Sequence, residues 1–515
     1  MTDPTAGPDE PHDDDTHPDD QLTVEKILAA AGAPEALAAL PAGESQADKL
    51  IALALLHYRL VAGDDGRPYA VPVDGPALAI GLRGRAGLRG QLARLYYDTH
   101  RQAPGGTGLT DAMTVLEAQA ERAEPAPIGL RVARTGDGQS IAIDLGAPDG
   151  QAVIVGSGGW RLVDRSPVLF RRSALTGALP TPLRGGSLDG LRALLNVDDA
   201  RFRLLVAWLL AALVPDIPHP ILALFGEQGT AKSTCARLLV DLVDPSPAPL
   251  RTPPRELRSW AAAAHASWII ALDNLSAIPP WFSDTLCKAV TGDGVVERAL
   301  HTDDDLNILT FRRVVAMTSI DAGALAGDLA ERLLPVELDP IPPEGRRSDA
   351  EIAALHDQAR PAVFGALLDL LAQTLTALPT VELAELPRMA DFARLLAALD
   401  ATQGWDTRAD YTAGAAETAL AVLDYDPVAV AIRDAIGRAG AWHGTASALL
   451  DKLTPDQPPK TWPRNPRALA GALKRLAPAL RLGWGITVTW PPRGQVRTLT
   501  IRGPEAPDQA ELANG

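Results

Sequence analysis

Apolar residues recur at three- and four-residue spacing over 47–60, with Leu50, Leu53, Leu55 and Leu56, and again over 88–97. Both stretches predict helices. Between them, 67–73 and 76–82 read as short strands broken by Gly and Pro. Over 127–171 the period changes: apolar or β-branched runs at 128–132, 140–145, 152–155, 160–163 and 168–170 are separated by Gly, Asp and Pro, which predicts a β-rich segment. Ser187-Leu188-Asp189 opens a helix, and 202–214 forms a second, strongly apolar one. Residues 215–342 alternate apolar strands with helical stretches, as a three-layer α/β core does. Residues 349–400 are helical, with Pro361, Pro379 and Pro387 as breaks; 401–426 read as a connector, and 427–502 as three helices followed by two strands.

The strongest chemical signal lies in the α/β segment. The apolar run Ile221-Leu222-Ala223-Leu224-Phe225 leads into Gly226-Glu227-Gln228-Gly229-Thr230-Ala231-Lys232-Ser233-Thr234 and then a helix through Leu242. Strand, Gly-bearing loop and helix in that order are the setting of a Walker A motif. Gly226 and Gly229 let backbone N–H groups turn inward toward phosphate oxygens, and the helix start near Lys232 adds its positive end. In this reading Lys232 meets the β- and γ-phosphates of ATP, and the Ser233 hydroxyl is a ligand of Mg²⁺. Ala231 stands where a Gly is usual. It costs little at negative φ and strains the loop at positive φ.

About forty residues on, Trp268-Ile269-Ile270-Ala271-Leu272-Asp273-Asn274 is an apolar strand ending in an acid, placed to hold Mg²⁺ through water. Asn274 follows where many ATPases carry a Glu, and an amide cannot accept a proton. A third strand, Val314-Val315-Ala316-Met317, ends in Thr318-Ser319, a polar place for the γ-phosphate or its water. Arg332 precedes a strand over 333–338; it reads as an arginine finger for a neighbouring subunit or as an intrachain partner of Glu331 or Asp328.

These elements in this order resemble superfamily 3 helicases, and more closely the ATPase region of the phage and poxvirus primase–helicase group within the AAA+ class. The stretch Leu286-Cys287-Lys288-Ala289-Val290-Thr291-Gly292-Asp293-Gly294, continuing to Glu297, Arg298, His301 and Asp303, is similar to the pore-facing hairpin of that family. The resemblance implies DNA-tracking roles for Lys288, Arg298 and His301, although His301 also reads as an ordinary exposed or satisfied histidine. It further implies Thr318 as sensor 1, Arg332 as the finger acting in trans, and Arg388 as a lid-domain sensor 2, with an ion pair to Asp391 as the alternative. It covers 216–342 most strongly. Upstream there is neither a zinc-ribbon set of cysteines nor a clear cluster of catalytic acids, so no primase domain is expected.

Charge adds a second footprint. The 515-residue chain carries a net −16, which argues against coating nucleic acid with its whole surface, yet 452–502 hold ten Lys and Arg against Asp456 alone. Asn465 caps a helix with Pro466 at its first position, and Leu469, Leu473 and Leu476 share one face. A hairpin follows around Arg493. Helix and basic-tipped hairpin resemble a winged helix, used on DNA through Arg464, Arg467, Lys474, Arg475 and Arg493, or on protein. Trp462, Trp484 and Trp490 read as packing.

The fold class expected is therefore α/β: a P-loop NTPase core of AAA+ type with an α+β N-terminal region, a helical lid and a C-terminal winged helix. The boundaries are a disordered acidic tail over 1–20, a mixed domain over 21–125, the β-rich part over 126–200, the ATPase core over 201–344, lid and connector over 345–426, winged helix over 427–502 and a disordered tail over 503–515. With 46% hydrophobic and 22% charged residues the chain is globular, and two cysteines, Cys235 and Cys287, build no disulfide framework. The start, Met1-Thr2-Asp3 running into Asp13-Asp14-Asp15, has no export signal, and the longest apolar run noted, 204–214, is short of the roughly 20 residues a bilayer needs. A cytoplasmic location without membrane contact is expected. The leading function is an ATP-driven DNA helicase or translocase of a phage or mobile element, working as a ring oligomer, a hexamer, with a separate primase or polymerase as a possible partner. The alternative is a nucleotide-switched DNA-binding scaffold with little turnover: an initiator, loader or defence ATPase.

Overall fold

The computed structural model describes residues 45–505 apart from 85–86, 277, 293–294, 299–305, 310, 320–326, 438–439, 460 and 491–497; at 295–298, 306–309, 327–328 and 422 it describes the backbone alone. The chain divides after Pro127 into two compact units. The expected tails, 1–20 and most of 503–515, lie outside the described residues.

The first unit holds helices α1 (Gln46–His57), α2 (Leu88–His100) and α3 (Gly106–Arg122) against strands β1 (Tyr58–Gly63), β2 (Pro68–Pro72), β3 (Ile80–Gly81) and β4 (Pro125–Ala126), in sheet order β3-β2-β1-β4. Ser45 opens α1 through a capping box with Asp48. The helix stops at His57 rather than running to residue 60, because Tyr58 turns extended and pairs with Pro72. Helix α3 escaped the sequence reading. Its buried stripe Leu109, Ala112, Met113, Leu116 and Ala120 has helical spacing but follows a glycine-rich start at 105–108.

The second unit opens with β5 (Ile128–Gly129), β6 (Val132–Arg134), β7 (Ile141–Asp144), β8 (Ala152–Gly156), β9 (Gly159–Val163) and β10 (Leu169–Phe170). Strands β6 to β9 form an antiparallel sheet in chain order, while β5 and β10 pair in parallel. Helix α4 (Asp189–Arg192) is a single turn, not the longer helix that Ser187 was expected to open. Helix α5 (Asp199–Ala212) buries Leu204 through Ala212 on all sides. A helix apolar all round has no solvent face to keep.

The central layer is a five-stranded, wholly parallel sheet. Its strands are β11 (Ile221–Phe225), β12 (Leu250–Arg251), β13 (Ile269–Leu275), β16 (Val314–Ser319) and β17 (Leu333–Glu337), in order β12-β13-β16-β11-β17. Helices α6 (Lys232–Asp241), α7 (Leu257–Ala266), α8 (Pro280–Thr291) and α9 (Gly327–Ala330) connect them, and the hairpin β14 (Val295–Arg298) and β15 (Leu306–Leu309) follows α8. One apolar cluster runs from Leu130 and Trp160 in the β-rich part through Leu222 and Leu224 to Phe364, Leu396 and Tyr411, so the segments that precede and follow the sheet in the chain pack on one of its faces, while Ile221, Ala223 and Phe225 on the other face pack with Trp260, Phe282 and Leu286.

Helices α10 (Asp349–Ala377), α11 (Ala390–Gln403) and α12 (Thr407–Tyr425) cover this core. Pro361 lies inside α10 instead of breaking it, and the connector expected over 401–426 is mostly the helix α12. Gly365 lets the Leu183 carbonyl approach; a Cβ there would lie 1.8 Å from that oxygen. By length and composition α10 is apolar enough to cross a bilayer, but Val363, Phe364, Leu367, Leu368 and Leu371 are buried in the cluster. The chain ends in α13 (Pro427–Ile436), β18 (Ala441–Thr445), α14 (Ala446–Leu453), α15 (Pro466–Trp484), β19 (Thr487–Thr489) and β20 (Thr498–Arg502). Strand β18, absent from the sequence reading, pairs with β20 to give the sheet order β18-β20-β19.

Candidate functional site

The loop after β11 is built by backbone conformations few residues adopt. Gly226 has φ +138° and Gly229 φ +90°. A Cβ on Gly226 would come within 2.9 Å of Thr230 Oγ1 and 3.0 Å of the Leu338 carbonyl, so the loop closes only around a glycine. Ala231 sits at φ +60°, the strained alternative, at a cost of roughly 1–2 kcal/mol. It is also the N-cap of α6 and gives that helix no side-chain cap. The first N–H groups of α6 are thereby left for an anion.

Internal bonds brace the loop. Thr230 Oγ1 donates to the Glu227 carbonyl at 3.0 Å. Lys232 Nζ folds back on the carbonyls of Gly226 and Glu227, at 2.8 and 2.7 Å. Burial pushes the Lys232 ammonium below its usual pKa, and Asp273 partly offsets that. Asn196, which carries no motif in the sequence, donates from Nδ2 to the Thr230 carbonyl at 3.0 Å.

Three elements meet on one carboxylate. Ser233 Oγ, at the start of α6, and Thr318 Oγ1, near the end of β16, each donate to Asp273 Oδ1 at 2.7 Å. The Asn274 N–H donates to Thr318 Oγ1 at 2.8 Å. Asn274 has φ +58°, beside a register shift between Leu272 and Leu275. All of this lies at the carboxyl ends of parallel strands, where open α/β sheets place ligands. Among the described residues no group of three or more His, Cys, Asp and Glu is gathered for a metal. The Ser233 hydroxyl and the Asp273 carboxylate are hard oxygen donors of the kind Mg²⁺ takes.

The arginines lie elsewhere. Arg332 immediately precedes β17, and its carbonyl accepts the Ile221 N–H at the opening of β11. Since Ile221 faces Leu333 and Phe225 faces Glu337, Arg332 is one five-residue strand, roughly 16 Å, from its own loop. It is 6% exposed. Arg388 was expected beside the nucleotide or paired with Asp391; instead its Nη1 lies 4.0 Å from Glu331, next to Arg332. Arg481 reaches the same carboxylate at 3.2 Å. Lys288 is exposed on α8. The Arg298 backbone is in β14, its side chain is not described, and His301 and Arg493 lie outside the described residues.

On α15 the expected helix start is present: Asn465 Oδ1 accepts the Ala468 N–H at 2.8 Å. Arg467, Lys474 and Arg475 project to solvent, with Arg464 just ahead of the helix. Lys474 Nζ sits 5.3 Å over the Trp490 ring, a cation–π contact that ties this lysine to the hairpin.

Residues 188–419 match a family model described as actinomycete integrative conjugative element replication protein, and 428–511 match one described as AICE RepA C-terminal domain. Together the two span more than half of the chain. No curated protein matches significantly. Among solved structures, the apo C-terminal region of NrS-1 (305-718) is similar at 11% identity over 85% of this chain and 90% of that one, with a TM-score of 0.37. An A form apo structure of the same region is similar at 12% identity over 84% and 89%, with a TM-score of 0.36. At those TM-scores neither likeness bears on the reading of the site.

Proposed function

We propose that this replication protein of a mobile element is an ATP-driven DNA helicase or translocase with a P-loop NTPase core of AAA+ type, working as a ring oligomer. The carrying observation is the convergence of Ser233 and Thr318 on Asp273 beside the loop of Gly226 to Thr234. In this reading the triphosphate lies on the N–H groups of the loop and of the first turn of α6. Lys232 leaves the carbonyls of Gly226 and Glu227 and pairs with the β- and γ-phosphates. Ser233 directly, and Asp273 through water, hold Mg²⁺, which when bound neutralises charge on the transferred group. Thr318 holds Asp273 and orients the Asn274 peptide. The distance of Arg332 from its own loop suits a finger serving the adjacent subunit, brought out of its buried place on assembly. The hairpin of β14 and β15, with Lys288 at its foot, faces the DNA strand, and the C-terminal module, a winged helix in this reading, docks on the duplex through α15. A separate primase or polymerase then supplies synthesis.

Lys232→Ala tests the scheme: loss of both ATPase and unwinding is expected, and unwinding retained by the variant overturns it. Asn274 favours a second reading, a nucleotide-switched scaffold with slow turnover, because its amide cannot take a proton from the attacking water. Steady-state ATPase with and without single-stranded DNA separates them, stimulation by DNA supporting the motor.

A further inference from the structure

The peptide joining Thr230 to Ala231 is held from outside the loop. Asn196 stands in the short connection between α4 and α5, flanked by Leu195 and Val197, each 5% exposed and both seated in the main apolar cluster. Those anchors leave the Asn196 side chain one direction. Its Nδ2 donates to the Thr230 carbonyl at 3.0 Å and also to the Asp339 carbonyl. Its own carbonyl accepts the Asp339 N–H at 2.9 Å, and one residue earlier Leu338 donates to the Phe225 carbonyl at 2.9 Å. Both side-chain partners are carbonyl oxygens, so the amide nitrogen, not the oxygen, must face them. One side chain therefore clamps the loop to the exit of β17.

The consequence follows from the planar trans peptide, in which C=O and N–H point in opposite directions. Holding the Thr230 oxygen outward aims the Ala231 N–H inward, to the concave side of the loop. It also fixes the peptide preceding the left-handed Ala231, and such strain persists only where the surroundings over-determine it.

We propose that Asn196 is a positioning residue for triphosphate binding: it presents the Ala231 N–H to a phosphate oxygen. This rests on the nucleotide reading of the loop, and the experiment keeps the two apart. A fluorescent ATP analogue with Mg²⁺ is titrated into the full chain, into Asn196→Ala and into Asn196→Asp, whose carboxylate would face two carbonyls. Thermal melting of each nucleotide-free protein is recorded alongside. The expected result is a dissociation constant raised about tenfold in Asn196→Ala and further in Asn196→Asp. Ala231→Gly, which relieves the strained peptide, should recover part of the loss in the Asn196→Ala background. A lowered melting temperature with unchanged affinity would make Asn196 merely structural and overturn the proposal. Failure of the unaltered chain to bind the analogue would instead sink the nucleotide reading itself.

Discussion

Two non-glycine residues of the site, Ala231 and Asn274, hold left-handed backbone, and chemistry separates them. Alanine has nothing to offset the clash of its Cβ at φ +60°, whereas asparagine is among the few residues that visit this region readily. Ala231→Gly should therefore stabilise the nucleotide-free protein by about 1 kcal/mol, seen as a higher urea midpoint at unchanged slope. Destabilisation would mean that the loop rearranges. Asn274→Glu should lose roughly 1 kcal/mol in the same assay, because glutamate gains no local hydrogen bond in that conformation. The motif from Gly226 to Thr234 was legible because its spacing is local and its chemistry is carried by residue type. The sign of φ at Ala231 was not, nor was Asn196, whose partners Thr230 and Asp339 stand 34 and 143 residues away.

At the scale of elements, burial decides where local preference fails. Proline inside a helix costs about 3 kcal/mol, yet α10 continues through Pro361, since burial of Val363, Phe364, Leu367, Leu368 and Leu371 outweighs that penalty. The strands over 128–170 are legible as apolar runs punctuated by Gly, Asp and Pro, a local signal, whereas α12, where a connector is expected, depends on packing that local pattern does not carry. Two buried polar groups secure these layers. Asp244 accepts Arg131 Nε at 3.0 Å through Oδ1, and the Trp268 and Ile269 N–H groups at 2.9 and 3.0 Å through Oδ2, tying the β-rich part to β13. Asp244→Ala leaves a fully buried guanidinium without its carboxylate and should cost about 3–5 kcal/mol in chemical denaturation. Arg131→Met should cost less, because Asp244 keeps its two backbone donors. His219 is buried, and Nε2 bonds the carbonyls of Ala211 and Val214, so that nitrogen carries the proton. Desolvation pulls its pKa down to about 4 from 6.5. The folded state thus prefers neutral histidine, and the unfolded chain takes up the proton first as pH falls. Stability is full above pH 6.5 and should decline by roughly 3 kcal/mol on the way to pH 4. His219→Gln should remove that component of the slope, and an unchanged slope would assign the loss to other groups.

Across the whole molecule, charge is segregated: a net −16 chain ends in a module whose helix α15 carries Arg467, Lys474 and Arg481 at seven-residue spacing, hence on one stripe. That stripe is not equally available. Arg467 faces solvent, as does Arg475 beside the stripe, whereas Lys474 lies over Trp490 and Arg481 is bound to Glu331, beside Arg332. Composition exposed the basic excess but not this division, since Glu331 lies 150 residues before Arg481. If α15 docks on a duplex, each phosphate contact releases counterions and contributes about 0.9 to the slope of log K against log salt. Arg467→Ala and Arg475→Ala should each flatten that slope by about one unit and weaken binding evenly across sequences. Arg481→Ala should leave the slope unchanged, because a guanidinium already held by a carboxylate neutralises no phosphate. If Arg481→Ala flattens the slope as much as Arg475→Ala does, the module must leave Glu331 on binding, and the ion pair is then a contact broken by DNA one residue from the candidate finger.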